Sequence, residues 1–372
     1  FYPNFRAGDT VFVYRLASEA YTATNQQVTR GTLTAISSTR LTLHLRHKQQ
    51  GHTLYSEGSH YAIEHDHLDS TFRASLRDLY SLLGAPKERT DLLLARRQPR
   101  FDTSRTLTRS YGSEYLDQIV LKAKQADDLF MLVGPPGTGK TSQALSSIVR
   151  EFYSDPTQNI LLASYTNRAV DEICQALEQL PEAPPYIRIG SEQSCQPQYS
   201  PRLLKNSILQ CKNREQIRLR MQQTRIFVGT IASLTARKEL FKLKKFQRAI
   251  IDEATQILES QLSGLLAAVS PEGSPAIERF ILIGDPKQLP AVVAQSPEES
   301  RVKSPTLQTI GIKDYGTSLF ERLFSYYHDK GIEGLSHTLN RQGRMHPTVS
   351  TFANRHFYNN TLHPIPLPHQ TE

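Results

Sequence analysis

Cysteine is scarce in this 372-residue sequence, and its three copies form no recognisable pattern. Cys174, Cys195 and Cys211 show neither CxxC spacing nor the spacing of zinc ligands. These absences argue against a disulfide framework and a cysteine metal cluster, and they are typical of proteins in a reducing compartment. We therefore expect a cytoplasmic protein, associated with the nucleoid if its source is bacterial.

Long apolar runs are also absent. No run approaches the ~20 residues that a transmembrane helix needs, and the first residues lack the pattern of a signal peptide. The sequence therefore predicts no membrane segment. Internal repeats and long low-complexity tracts are missing as well.

Basic residues exceed acidic ones. Lysine and arginine total 44 against 36 aspartate and glutamate residues, which gives a net charge of +8. Such a surplus suggests a polyanionic partner, nucleic acid first. Ordinary solubilising charge explains the same surplus equally well, so composition alone does not decide between the two.

Residues 1–68 have the pattern of short strands. Leu41, Leu43 and Leu45 alternate with polar residues, as in a strand with one buried face. Several short strands within a small segment predict a β-barrel that forms an accessory domain.

Residues 69–110 change to a helical pattern, and we interpret them as a helical stalk. Asp69 and Ser70 can cap a first helix, and a second helical stretch covers Asp91–Arg97. The first helix has an apolar face that consists of Phe72, Leu76, Leu79 and Leu83.

Residues 111–334 have the pattern of an α/β domain. Six short apolar runs alternate with helical segments, which is typical of parallel strands covered on both faces. A basic segment at 202–225 predicts a helix that either binds a polyanion or is a solvated surface. The six runs are FMLV, ILLAS, YIRI, RIFVGT, AIID and FILIG.

The first chemical motif is a phosphate-binding loop at residues 133–142. Its sequence, VGPPGTGKTS, fits G-x-x-x-x-G-K-[ST] and lies between a predicted strand and a predicted helix. Backbone N–H groups of such a loop wrap phosphate oxygens at a helix N-terminus. Lys140 would reach the β- and γ-phosphates and Thr141 would bind Mg²⁺, so the expected cofactors are ATP and Mg²⁺. The nucleotide-binding residues would be Gly134, Pro135, Pro136, Gly137, Thr138, Gly139, Lys140, Thr141 and Ser142.

Two further motifs follow predicted strands. AIIDEATQ brings Asp252 and Glu253 to the C-terminal end of a strand, where ligands bind in such sheets. Asp252 can hold Mg²⁺, and Glu253 can orient and deprotonate the attacking water. In LIGDPKQLP, Gln288 can hydrogen-bond both a γ-phosphate and a water, although an ordinary Asp-Pro turn explains this motif when it is taken alone.

Six motifs occur in order between residues 134 and 347: GPPGTGKT, SYTNRAVDEI, VGTIASL, IIDEATQ, GDPKQLP and LNRQGRMHP. The set resembles the superfamily 1 helicases. It resembles their 5′→3′ branch, which includes the nonsense-mediated-decay RNA helicase and the nuclease–helicase of Okazaki-fragment processing. The resemblance implies a RecA-like ATPase domain at 111–334 and the start of a second RecA-like domain at 335–372.

The resemblance also implies roles for single residues. Arg344 is similar to the arginine finger that closes over the nucleotide, and Gln288 would couple the γ-phosphate to the strand-binding surface. Gln118 lies near the position of an adenine-recognising glutamine, although a surface glutamine fits its surroundings equally well. The positions that match backbone-binding residues of the family are Thr166, Asn167, Ala169, Thr230 and Ser233, and hydroxyls at helix N-termini suit that role.

Two features depart from the family. Gly343 stands where the family usually has an aromatic residue that stacks on adenine, which puts base stacking and strict ATP preference in doubt. The sequence begins at Phe1 and ends at Glu372, soon after the last motif. We therefore expect a fragment of a longer helicase, with a truncated second domain and a possible nuclease domain upstream.

The sequence thus predicts a helicase or translocase in which ATP hydrolysis drives movement along single-stranded nucleic acid, DNA more than RNA. The alternatives are an RNA helicase of the same family, a nucleic-acid-stimulated ATPase that unwinds nothing, and a catalytically silent binding module. The intact Lys140, Asp252, Glu253 and Gln288 argue against the last.

Overall fold

The computed structural model describes residues 5, 7–16, 24–25, 28–45, 58–66, 70–293, 295–365 and 367–368, without the side chains of 70–73. The chain divides into two compact units. The first consists of Phe1–Arg73 and Ser191–Ser194, and the second of Ala74–Gly190 and Cys195–Glu372.

The first unit contains a four-stranded antiparallel sheet with the strand order β3-β2-β1-β4. Its strands are β1 Thr10–Arg15, β2 Thr29–Ile36, β3 Leu41–Leu45 and β4 Tyr61–His65. The predicted alternation of β3 is confirmed, since its leucines are half-buried and the residues between them exposed. Val11, Val13 and Leu33 form the core. Closure of this sheet into a barrel stays a prediction.

Two helices follow, α1 at Ser70–Leu83 and α2 at Lys87–Leu93. The predicted second helix at Asp91–Arg97 is wrong, because the helix starts at Lys87 after Pro86, whose carbonyl accepts from the N–H of Arg89. Ala95 has a φ of 52°, which ends the helix before Arg97. In α1 the predicted apolar residues Leu76, Leu79 and Leu83 are exposed. The predicted cap at Asp69 and the side chain of Phe72 lie outside the described residues.

The second unit is built on a seven-stranded parallel sheet with the order β11-β5-β10-β9-β6-β8-β7. Six of its strands are the predicted apolar runs, which confirms the α/β fold. Apolar clusters cover both faces, and burial of each large aliphatic side chain contributes about 1.5–3 kcal/mol. The strands are β5 Leu129–Val133, β6 Ile160–Ser164, β7 Tyr186–Ile189, β8 Ile226–Thr230, β9 Phe246–Ile251, β10 Ile277–Gly284 and β11 Ser336–Thr338.

Twelve further helices lie in the described part of this unit. They are α3 Glu114–Gln125, α4 Ser146–Tyr153, α5 Asn167–Glu178, α6 Leu204–Ser207, α7 Arg214–Gln223, α8 Ile231–Thr235, α9 Glu239–Leu243, α10 Glu259–Leu266, α11 Pro297–Ser300, α12 Pro305–Thr309, α13 Leu319–Asp329 and α14 Pro347–Phe357. Two short strands, β12 Arg341–Gln342 and β13 His363–Pro364, pair in parallel. None of the described helices is long and apolar enough to cross a bilayer.

The predicted basic helix at 202–225 is wrong as a single element. Its residues form the separate helices α6 and α7. The chain breaks between them because the side chain of Asn213 accepts from the N–H of Gln216 and starts a new helix. Only Met221 is buried in α7, so its basic residues lie on a solvated surface.

The edge strand β11 pairs with β5. Residues 336–338 therefore belong to this sheet, although the predicted second domain begins at residue 335. The other proposed domain boundaries stay predictions. Because β5, β10 and β9 are neighbours and parallel, the segments that follow them converge at one edge of the sheet.

Candidate active site

The loop after β5 depends on glycine at two positions. At Gly134 a Cβ would overlap the side chain of Lys140, which passes directly over this residue. Gly137 has a φ of 76°, and a Cβ there would lie 2.6 Å from Cβ of Arg344. Both contacts require the missing side chain, so the glycines allow Lys140 and Arg344 to approach the loop backbone.

The loop continues into a widened helical turn over Lys140–Leu145. The N–H of Ala144 donates to the carbonyl of Gly139, five residues earlier. The turn leads into α4, which packs its apolar face into the core. A helix N-terminus is thereby aimed at the cleft, as phosphate binding requires.

Two pairs of side chains join the loop to the end of β9. Lys140 Nζ lies 3.1 Å from Glu253 Oε1, and the Thr141 hydroxyl donates to Asp252 Oδ2 over 2.6 Å. The loop and the acidic pair are more than 100 residues apart, since Thr141 and Asp252 are separated by 111 positions. The structure thus brings together four residues to which the sequence gives catalytic or metal-binding roles.

Asp252 is 2% exposed. Burial, and then the charge of Glu253, raise its pKa to about 6. Its donors are the Thr141 hydroxyl and the backbone N–H of Glu253, which donates to Oδ1 over 2.9 Å. A buried carboxylate with a second carboxylate beside it is a favourable place for a cation.

Glu253 adopts a left-handed backbone conformation with a φ of 52° and a ψ of 40°. This conformation is uncommon for a residue other than glycine and costs on the order of 1–3 kcal/mol. It turns the chain directly after β9, so that the carboxylates of Asp252 and Glu253 reach Thr141 and Lys140 respectively.

A second buried aspartate lies at the end of β10. Asp285 is 0% exposed, and its Oδ2 accepts a hydrogen bond of 2.9 Å from Nε2 of Gln288. The hydroxyl of Tyr358 donates to the same oxygen over 2.7 Å. Tyr358 is not among the predicted site residues, because it lies beyond the last motif and 73 positions from Asp285.

Arg344 lies on a short turn that rests on the loop. The N–H of Gly343 donates to the carbonyl of Gly137 over 2.9 Å. The buried side chain of Gln342 braces the turn, because it accepts from the N–H of Met345 and donates to its carbonyl. Arg344 itself is exposed and lines the cleft.

The cleft has a volume of about 520 Å³. Loop residues 135–142 form one wall, and Glu253, Gln288 and Arg344 also line it. Helix α5 contributes Arg168 and Glu172, which form an exposed ion pair of 3.4 Å. The volume is in the range of pockets that bind nucleotide-sized ligands.

The residues present fit Mg²⁺. Thr141 and Asp252 offer a hydroxyl and a carboxylate oxygen in contact with each other, and Mg²⁺ in such sites takes one or two protein ligands together with phosphate oxygens. Within the described ranges no group of three or more histidine, cysteine, aspartate or glutamate side chains forms a separate metal site.

A smaller cavity of about 260 Å³ adjoins the loop at Thr138. Tyr115 and Arg341 line it, and the guanidinium of Arg341 lies 4.7 Å from the centre of the Tyr115 ring. Gln118 does not line this cavity. It is exposed and donates to Glu114 Oε1 over 3.4 Å on the surface of α3.

The residues matched to nucleic-acid contacts cap two helices. Thr166 caps α5 by accepting from the N–H of Ala169, and Thr230 caps α8 by accepting from that of Ser233. Since β6 and β8 are paired, the two caps lie at the same edge of the sheet. Asn167 and Thr166 are exposed, whereas Thr230 is buried.

Comparisons with known proteins agree with this architecture. A family model described as an AAA domain matches residues 113–225 and 206–296, and a second with the same description matches 315–370. Together the matches cover more than half of the chain.

Several relatives are helicases by name. The DNA replication ATP-dependent helicase/nuclease JHS1 of Arabidopsis thaliana is 29% identical over 278 residues, 71% of this chain and 18% of that protein. The corresponding DNA2 protein of Bos taurus is 24% identical over 360 residues, 92% of this chain and 32% of that protein. The RNA helicase Mov10l1 of Mus musculus is 25% identical over 245 residues, 63% of this chain and 19% of that protein.

The chain spans about a fifth to a third of the length of these relatives. Among solved structures, an arterivirus nonstructural protein 10 (helicase) in complex with DNA aligns with a TM-score of 0.38 and 14% identity over 65% of this chain and 42% of that chain. That similarity is too low to support an argument.

The doubly covered parallel sheet, the loop and the strand-end carboxylates define a P-loop nucleotide-binding protein. Given the ordered motifs, the two AAA-domain matches and the helicase relatives, the chain belongs to the superfamily 1 helicases.

Proposed function

We propose that this chain is the ATPase core of a helicase that couples ATP hydrolysis to 5′→3′ movement along single-stranded DNA. One observation carries the proposal: the contacts of Lys140 with Glu253 and of Thr141 with Asp252 occur in one cleft that Gln288 and Arg344 also line. These are the groups that phosphoryl transfer to water requires.

The chemistry depends on positioning and on neutralised charge. Lys140 would bind the β- and γ-phosphates, and Glu253 would take a proton from the attacking water. Bound Mg²⁺ would neutralise phosphate charge, and Thr141 and Asp252 would hold it. Arg344, seated over Gly137, would stabilise the charge that develops on the transferred phosphoryl group.

The smaller cavity beside the loop is the best candidate for the site that binds the adenine base of the nucleotide. Tyr115 supplies an aromatic face there and Arg341 a planar cation, which together can replace the aromatic residue missing at Gly343. Gln118 lies outside this cavity, so base recognition through its side chain would need a change in its conformation.

Two observations support a nucleic-acid partner. The N-terminus of α5, capped by the exposed Thr166, lies at the sheet edge that also carries the cleft, and such a terminus binds phosphate without reading sequence. The net charge of +8 favours a polyanion. DNA is the proposed strand because two relatives that match 71% and 92% of this chain are named for DNA replication.

Steady-state ATP hydrolysis tests this proposal. We expect turnover to rise severalfold with single-stranded DNA and less with RNA of the same length, and to fall as salt increases. Lys140→Ala should abolish it, whereas Lys330→Ala, which removes an exposed lysine, should not. Greater stimulation by RNA would identify an RNA helicase. Turnover that neither DNA nor RNA changes would contradict the proposal, and absence of turnover in the full-length protein would indicate a binding module.

A further inference from the structure

Tyr358 lies just after α14 and reaches into the segment that follows β10. Its hydroxyl donates to Asp285 Oδ2 over 2.7 Å, and Nε2 of Gln288 donates to the same oxygen over 2.9 Å. The other oxygen accepts from the backbone N–H of Lys287 over 3.0 Å. Tyr358 and Gln288 therefore share one acceptor atom of a fully buried carboxylate.

The shared oxygen determines which way the Gln288 amide faces. Nε2 of Gln288 donates to this oxygen, so the Gln288 amide presents an N–H to the Asp285 carboxyl. The carbonyl Oε1 is then free to accept a hydrogen bond from a water in the cleft, and the second N–H can donate to a phosphate oxygen. In this orientation Gln288 could contact a water and a phosphate oxygen at the same time.

Tyr358 is suited to hold this arrangement in place. Burial and the hydrogen bond to Asp285 raise the pKa of its hydroxyl, which therefore stays protonated and remains a donor. A buried carboxylate needs several donors to offset lost hydration. If one is removed, Asp285 turns toward those that remain and the anchor of Gln288 moves with it.

We propose that Tyr358 is a positioning residue that orients Gln288 through the carboxylate of Asp285, an inference that rests on the proposed role of Gln288 in hydrolysis. Tyr358 follows the same segment that seats Arg344 over Gly137. A displacement of this segment would therefore change the position of Arg344 and the orientation of Gln288 together, and would couple hydrolysis to movement of residues 340–358.

The kinetic test compares two matched substitutions. Tyr358→Phe removes only the hydroxyl. Tyr111→Phe also removes a hydroxyl, which donates to Glu151 over 2.6 Å. Glu151 is another buried carboxylate, but it does not line the cleft. We expect kcat for ATP hydrolysis to fall about tenfold in Tyr358→Phe, with KM within twofold, and to stay within twofold of the parent in Tyr111→Phe. Both variants should lose similar thermal stability.

A double-mutant cycle separates positioning from a general structural effect. If Tyr358 acts through Gln288, then Tyr358→Phe should cause no further loss of kcat in a Gln288→Ala background. Additive losses, or an unchanged kcat in the single variant, would overturn the inference.

Hydrogen exchange of the Gln288 side chain tests the inference without measuring ATP hydrolysis, so the result does not depend on the proposed function. The side-chain amide signal of Gln288, assigned by its loss in Gln288→Ala, should show slow hydrogen exchange in the parent and faster exchange in Tyr358→Phe but not in Tyr111→Phe. Unchanged exchange in Tyr358→Phe would refute the inference. If exchange quickens but the parent hydrolyses no ATP, the proposed function fails while the link between Tyr358 and Gln288 stands.

Discussion

Two buried aspartates end neighbouring strands of the same sheet, and their surroundings differ. Asp252 follows β9 and accepts from two donors, the Thr141 hydroxyl and the N–H of Glu253. Asp285 follows β10 and accepts from three, the N–H of Lys287 and the side chains of Gln288 and Tyr358. Burial and position in the fold are nearly the same, so the difference lies in the partners.

The comparison indicates that equal burial can serve two tasks. Asp252 has a neighbouring carboxylate and a pKa raised to about 6, and its hydroxyl partner is itself a ligand type for Mg²⁺. Asp285 accepts from three donors, one from the backbone and two from side chains, and therefore offers a cation less free acceptor capacity than Asp252 does. We infer that Asp252 binds the metal ion and that Asp285 orients Gln288. Four substitutions test this difference in role.

The largest effect is expected beside Asp252. Glu253→Gln keeps the shape of the side chain but cannot accept a proton from water, so hydrolysis should fall by about 10²–10⁴-fold while nucleotide affinity is kept. Turnover and equilibrium binding of a fluorescent nucleotide measure the two quantities. Glu239→Gln, on an exposed part of α9, is the matched control. A turnover near that of the parent would mean that another group takes the proton from the attacking water.

Asp252→Asn should weaken the effect of Mg²⁺ on nucleotide binding. We expect the gain in nucleotide affinity that Mg²⁺ confers to decrease roughly 10- to 100-fold, because an amide oxygen carries no charge. Calorimetric titration with and without Mg²⁺ measures this gain. If the gain is the same as in the parent, Asp252 does not bind the metal.

Asp285→Asn should lower kcat and leave the effect of Mg²⁺ on nucleotide binding almost unchanged. Mg²⁺-dependent affinity should stay within twofold, whereas kcat should fall about tenfold, since an amide N–H would face donors and displace Gln288. The buried mismatch should also cost on the order of 1–3 kcal/mol of unfolding free energy, which denaturant titration measures. Loss of the Mg²⁺ effect in this variant would erase the distinction between the two aspartates.

The smallest effect is expected at Gln118, which contacts neither aspartate. Because it is exposed and bonded only weakly to Glu114 in this structure, Gln118→Ala should change KM for ATP less than twofold. Hydrolysis of ATP and GTP by parent and variant measures base preference. A marked loss of preference for ATP would restore the adenine-recognition role that family resemblance implies.

The features that the sequence predicts correctly are those that a local pattern of residues determines. Lys140 and Thr141 belong to a contiguous loop motif, and Asp252 and Glu253 to a strand end, so their convergence follows from a parallel sheet. Six strands were predicted for the same reason, because buried parallel strands are short and almost wholly apolar.

What the sequence did not predict depends on contacts between distant segments or on breaks within polar ones. Tyr358 meets Asp285 across 73 positions, and no pattern near Tyr358 marks the contact. The edge strand β11 has only three residues, Ser336–Thr338, too few for a period-2 signal. The basic segment at 202–225 lacked an apolar stripe, so the break at Asn213 had no periodicity to interrupt.

The most direct test of the central claim is translocation itself. The full-length protein is mixed with single-stranded DNA that carries biotin and bound streptavidin at one end, and the ATP-dependent displacement of streptavidin is followed over time. We expect displacement from the 3′ end, little from the 5′ end, and none with Glu253→Gln. Hydrolysis stimulated by DNA without displacement from either end would contradict the claim that this cleft drives movement along a strand.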